Sequence, residues 1–185
     1  MSEKRTQLEN VATEAVQRSG LHNLSFRTLA DRVGVKSSSV HYYFPEKSHL
    51  AAALIARYSD EFAQALAAIN SEKKGVTKKL EAFVKIFEDA LSDDKFCLCG
   101  MMAAEVASLD EANRAALHAY FQHTEDWLTE VVSESESAGG IKARGIARSI
   151  LSGLEGAILL DRVSGQRHYL KAQRDVIKLL VANGG

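Results

Sequence analysis

Between Ser25 and Phe44 the chain reads SFRTLADRVGVKSSSVHYYF, and no other stretch restricts the fold as tightly. Phe26, Leu29, Ala30 and Val33 recur at one-turn helical spacing, stop at Gly34, and resume at Val35, Val40, Tyr43 and Phe44. The spacing predicts a short helix, a tight turn and a second helix. Ser25 stands at an N-cap position, with Leu24 and Leu29 placed to staple the helix entry. Gly34 suits the left-handed backbone that ends such a helix, because it has no Cβ to clash. Ala30 and Val40 flank that glycine at distances that let all three pack inside the elbow of a DNA-binding helix-turn-helix.

The second helix opens on Lys36 and carries Ser37, Ser38 and Ser39, then His41 and Tyr42. Serines are mediocre helix formers, so three in succession are a poor choice for a buried helix. In a major groove they suit, since small hydroxyls approach base edges and phosphates without steric cost. The plainer alternative is an amphipathic hairpin with a solvated serine face; the alanine-glycine-valine spacing favours the groove.

A hydrophobic content of 46 % and a single proline, Pro45, fit an all-α protein with few breaks. Met1 to Leu50 holds seven Lys/Arg against five Asp/Glu, an excess too small to argue for DNA by itself. Two cysteines, no signal-like start and no apolar run of membrane-spanning length point to the cytoplasm and to no membrane partner. A capping box at Thr6 and Glu9 predicts the first helix from about Thr6 to Ser19. Pro45 is expected in the first turn of a long helix reaching about Ile69. Lys47, near that helix's N-terminus, opposes the macrodipole unless an anion such as a DNA phosphate is close.

The LSFRTLADRVGV block, the serine-bearing helix ending in VHYYF, and the Phe44-Pro45-Glu46-Lys47 junction together resemble the DNA-binding domain of the TetR family of bacterial transcriptional regulators. The resemblance implies a helix-turn-helix domain over 1–48 and a helical regulatory and dimerisation domain over 49–185. It places Arg27, Thr28, Lys36, Ser37, Ser38, Ser39, His41, Tyr42 and Lys47 toward DNA, and Tyr43 and Phe44 in the domain junction. Ser38 departs from the many members with glycine there, which alters the bases that can be approached. The implied function is a homodimeric repressor on a palindromic operator, because two reading helices about 34–36 Å apart recognise an inverted repeat.

Further along, helices are expected from about Val76 to Leu91, over FCLCGMMAAEVASL, from Asp110 to about Ser135, after a loop at Ser133-Gly140, and from about Gln166 to Ala182. Gly153 and Gly156 lie beside Ile146, Ile150, Leu154 and Ala157, and interior glycines cost about 1 kcal/mol each, so close helix approach is the natural compensation. By the resemblance the last two helices form the dimer bundle, with Ile146, Ile150, Gly153, Leu154, Ala157, Ile177 and Leu180 as its contacts.

Two triggers remain open. Phe83, Phe87, Met101, Met102, Tyr120, Phe121 and Trp127 are candidates to line a pocket for a small apolar ligand; they equally suit an ordinary core. Cys97 and Cys99 are too close in sequence for a relaxed disulfide. His118 and His123 face about 140° apart on a helix, which argues against a metal site, and no cofactor is implied. Buried structural thiols are the ordinary fate. The FCLCGMMAAE segment nonetheless resembles a TetR subgroup in which such a cysteine reacts with electrophiles or oxidants, making Cys97 the first sensor candidate and Cys99 the second. A thiol enzyme or an interaction module on the same scaffold are the alternatives. No nucleophile elbow, phosphate loop or spaced carboxylate pair supports an enzyme.

Overall fold

The computed structural model describes residues 2–135 and 141–182, and all regular structure among them is helical. The elements are α1 (Glu3–Ser19), α2 (Phe26–Val33), α3 (Ser37–Tyr43), α4 (Lys47–Glu72), α5 (Val76–Ser92), α6 (Leu98–Ala104), a 3-10 turn (Val106–Ser108), α7 (Glu111–Ser133), α8 (Ile141–Ser164) and α9 (His168–Ala182). No helix among these residues is long and apolar enough to cross a membrane. The chain forms two compact units, one from Met1–Asp60 with Cys97–Tyr120, the other from Glu61–Phe96 with Phe121–Gly185.

In the first unit, Leu8, Ala12, Val16, Leu29, Val40, Phe44, Leu50 and Leu54 are fully buried. The expected capping box at Thr6 and Glu9 does not form. Helix α1 begins earlier, with Ser2 as N-cap, and the Thr6 hydroxyl donates to the Ser2 carbonyl. Glu9 is buried and turned to Arg5 at 2.8 Å and Arg57 at 3.9 Å, where charge pairing offsets its desolvation. Pro45 precedes α4, and the Glu46 carbonyl accepts from His49 and Leu50, so the first turn is built just after the proline. The polar stretch from Asn70 does not stop α4, which continues to Glu72.

The second unit buries Leu66, Leu80, Phe83, Leu128, Ile150 and Leu154. Gly153 lets the Gln173 side chain of α9 lie against α8, where any Cβ would collide with its amide. That amide donates to the Ser149 carbonyl. Helix α9 begins at His168, two residues later than the spacing suggests, because Asp161 of α8 caps it. Its carboxylate accepts from Tyr169 N–H at 2.9 Å and Leu170 N–H at 2.8 Å. Of the expected Ser133-Gly140 loop, 136–140 lie outside the described residues.

Asp161 is 1 % exposed, so removing it leaves two helix-end donors without their acceptor. Asp161→Ala is expected to cost about 1.5–3 kcal/mol. Urea unfolding measures this, and Asp161→Asn should retain a substantial part.

Candidate nucleic-acid interface

The geometry of α2 and α3 follows from three local choices. The Ser25 hydroxyl accepts from Thr28 N–H at 3.0 Å, capping α2, and lies 2.7 Å from the Thr28 hydroxyl. Gly34 adopts φ 72° and ψ 37°, and its N–H reaches back to the carbonyls of Ala30 and Asp31. No atom comes within 4 Å of a Cβ built there, so the requirement for glycine is dihedral and not spatial. Leu29, Ala30 and Val40 are buried in the elbow, which fixes how α3 rolls.

That roll leaves Lys36, Ser37, Ser38, His41 and Tyr42 exposed on α3, with Ser39 half-buried, and Arg27 and Thr28 exposed on α2. Tyr42 is 79 % exposed, an unusual position for a large ring unless a surface covers it. His41 stands edge-on to Phe26, with ring centroids 4.9 Å apart, and its Nδ1 lies 3.4 Å from the Pro45 carbonyl. Tyr43 is half-buried, its hydroxyl 2.9 Å from Ser2 Oγ, while Phe44 is fully buried beneath the Arg5 guanidinium.

Lys47 lies in a more constrained setting. Its ammonium donates to the His22 carbonyl at 3.0 Å, and the His22 N–H donates to the Glu105 carboxylate at 2.8 Å. Partial burial lowers the lysine's pKa from its ordinary value, and attraction to Glu105 works against that shift. The cation is thus tied to the turn joining α1 and α2.

A family model described as "Bacterial regulatory proteins, tetR family" matches residues 9–54. A second, "Transcriptional regulator LmrA/YxaF-like, C-terminal domain", matches residues 76–176, more than half of the chain. The chain belongs to the TetR family of bacterial transcriptional regulators. Among solved structures, a TetR transcriptional regulator from Legionella pneumophila is 27 % identical with a TM-score of 0.89, covering 98 % of each chain. One from Agrobacterium tumefaciens is 25 % identical with a TM-score of 0.90, covering 96 % of this chain and 97 % of that one. The nucleoid occlusion factor SlmA of Marinomonas sp. (strain MWYL1) is 22 % identical over 177 residues, 93 % of this chain and 85 % of that protein.

The other TetR-type candidates divide between the two units. Met101, Met102 and Tyr120 belong to the first, whereas Phe83, Phe87, Phe121 and Trp127 belong to the second. There Phe83 stacks on Trp127 at 5.4 Å and leans on Phe87 at 5.4 Å, and Trp127 Nε1 is buried without an acceptor. His118 and His123 are exposed. Cys97 and Cys99 are both buried and not joined in a disulfide. Cys97 caps α6, its sulfur accepting from Gly100 N–H at 3.3 Å and lying 3.5 Å from the Tyr120 hydroxyl. Burial, joined by nearby Cys97, Tyr58 and Cys99, raises the Tyr120 pKa well above its ordinary value.

Of the residues expected in a dimer contact, Ile150, Leu154, Ala157 and Ile177 are buried within the single chain, and Ile146, Gly153 and Leu180 are half-buried. Periodicity locates an apolar stripe without saying what covers it, and Ile150, Leu154, Ala157 and Ile177 are covered by their own chain. The apolar side chains left exposed on α8 and α9 are Leu159, Leu160, Val163, Tyr169, Val176 and Leu179. Gly156 has open space where a Cβ would stand.

Lys4 is a residue that motif reading passed over. It lines a groove of about 300 Å³ with Val35, Ser38, Ser39, Tyr42 and Tyr43, placing an α1 cation beside α3. Its signal was the basic start of the first helix.

Gly34→Ala should destabilise the protein by about 1–2 kcal/mol, the cost of left-handed backbone for a residue with a Cβ. Gly34→Asn should cost less, and thermal unfolding compares the two.

Proposed function

We propose that this TetR-family regulator is a homodimeric repressor that reads a palindromic operator with α3 and releases it on binding an effector. The observation that carries the reading is the exposed set on α2 and α3, Arg27, Thr28, Lys36, Ser37, Ser38, His41 and Tyr42, with Ser39 and Lys47 at its margin. Hydroxyls and a ring at the centre suit base edges, and the surrounding cations suit phosphates. Residues 1–48 then act as the reading head and 49–185 as the regulatory and dimerisation part.

The second copy docks on the exposed face of α8 and α9. Gly156, Leu160 and Val163 follow one helical stripe, as do Tyr169, Val176 and Leu179 on α9. Val163 is 89 % exposed, and six large apolar side chains bared on one helix pair need a partner of like chemistry.

The effector is a small, mainly apolar molecule with one hydrogen-bond acceptor. In support, Trp127 Nε1 is a buried donor without an acceptor beside Phe83 and Phe87, and leaving it unmatched is costly. A second trigger, thiol modification at Cys97, rests on its sulfur holding Gly100 N–H at the start of α6. An electrophile there forms a carbon–sulfur bond, displaces the thiol proton, and removes the cap by bulk; Cys99, fully buried, is less accessible.

Three measurements check these parts. Lys47→Ala and Arg27→Ala should each weaken binding across all DNA sequences and reduce the slope of log affinity against log salt by about 1. An unchanged slope would count against the phosphate contacts. Val163→Glu should convert a dimer to a folded monomer in sedimentation experiments. Thiol alkylation should lower DNA affinity in the wild type and leave Cys97→Ser unaffected; an unaffected wild type would remove the thiol trigger.

A further inference from the structure

Two contacts dock the first turn of α1 on the end of α3. The Ser2 hydroxyl lies 2.9 Å from the Tyr43 hydroxyl, and the Arg5 guanidinium stands over the Phe44 ring, 5.5 Å from its centre. Lys4 falls between these anchors in sequence and is exposed. All of these residues belong to the first compact unit.

The charge on Lys4 is left over. The other two cations of α1 each have a carboxylate one turn away, Arg5 meeting Glu9 at 2.8 Å and Arg18 meeting Glu14 at 3.1 Å. Where such a partner for Lys4 would stand, the chain has Gln7 and Leu8, and no carboxylate among the described residues pairs with its ammonium. A cation in the first turn also opposes the helix macrodipole. The position is therefore unfavourable for α1 alone and becomes favourable beside an anion.

The groove of about 300 Å³ between α1 and α3 indicates which anion. Lys4, Ser38, Ser39 and Tyr42 contribute polar groups to its lining, which includes no carboxylate among the described residues. Lys4, Ser38 and Tyr42 are exposed and Ser39 is half-buried, so these donors are within reach of an occupant. An oxyanion accepts from an ammonium and a hydroxyl together. Three of the four polar residues sit on α3, so a duplex read by α3 brings its own phosphates to them, whereas a free anion there would compete with that duplex.

We propose that the groove between α1 and α3 seats one DNA phosphate per protomer, with the Lys4 ammonium as its counter-charge and the Ser39 hydroxyl as a second donor. Helix α1 thereby becomes part of the operator interface, outside the helix-turn-helix itself. This rests on the DNA reading of α3 above.

The test measures the affinity of the full chain for a duplex it has selected, by fluorescence anisotropy over a range of salt. Lys4→Ala should weaken binding about tenfold and reduce the slope of log affinity against log salt by about 1 for each protomer bound. Its melting temperature should equal or exceed that of the wild type, since a cation unfavourable to the helix is removed. Lys4→Arg should retain most of the affinity, and Lys4→Glu should fall below Lys4→Ala. Uncharged methylphosphonates in place of single phosphates locate the contact: one position in each half-site should weaken the wild type and leave Lys4→Ala unaffected. Equal sensitivity of both proteins at every position, or wild-type affinity and slope in Lys4→Ala, would overturn the proposal. Lys36→Ala on the same duplex keeps the two readings apart. If it weakens binding while Lys4→Ala does not, the phosphate seat is lost and the DNA reading of α3 stands; if neither does, both fall.

Discussion

Both backbone groups of His22 are held by charged side chains, the N–H by Glu105 and the carbonyl by Lys47. In the turn between α1 and α2, Gly20 N–H and Leu24 N–H reach the backbone carbonyls of Val16 and Leu21, whereas the His22 groups take their partners from side chains. Gly20 makes this arrangement feasible: it has φ 83°, and a Cβ there would collide with the Glu105 carboxylate. One turn of backbone thereby ties the end of α6 to the start of α4, with Cys97 capping the opposite end of α6. A change of packing around α6 thus has a short covalent and hydrogen-bonded route to Lys47.

The hydrophobic elbow and the polar clamp divide the work. Leu29, Ala30 and Val40 bury enough apolar surface to fix the roll of α3, which decides the side chains that face outward. The clamp decides where Lys47 stands. Shape and charge are therefore set by different residues, and a regulator can move one while preserving the other.

The helix-turn-helix was legible because its signals are local: a cap at Ser25, a left-handed glycine at Gly34, and a 3.6-residue apolar period. The LmrA/YxaF-like part was less so. Helix lengths followed from periodicity, but which stripe of α8 faces its own core and which stays bare depends on tertiary packing that one helix does not encode. Gly153 and Gly156 illustrate this. They are neighbours in sequence, yet one accommodates Gln173 inside the chain while the other has open space. Likewise Glu9 fits a capping box in sequence, but Arg5 and Arg57 draw it elsewhere.

In the proposed mode of action α3 is a reading head used in pairs. Selection of bound duplexes from a random-sequence pool tests it most directly. The expected product is an inverted repeat with half-site centres about one helical turn, or 34–36 Å, apart. Ser38→Ala should change the bases preferred within each half-site, and Lys47→Ala should lower affinity while leaving those preferences intact. Enrichment of a single unpaired site, or of no sequence at all, would contradict it.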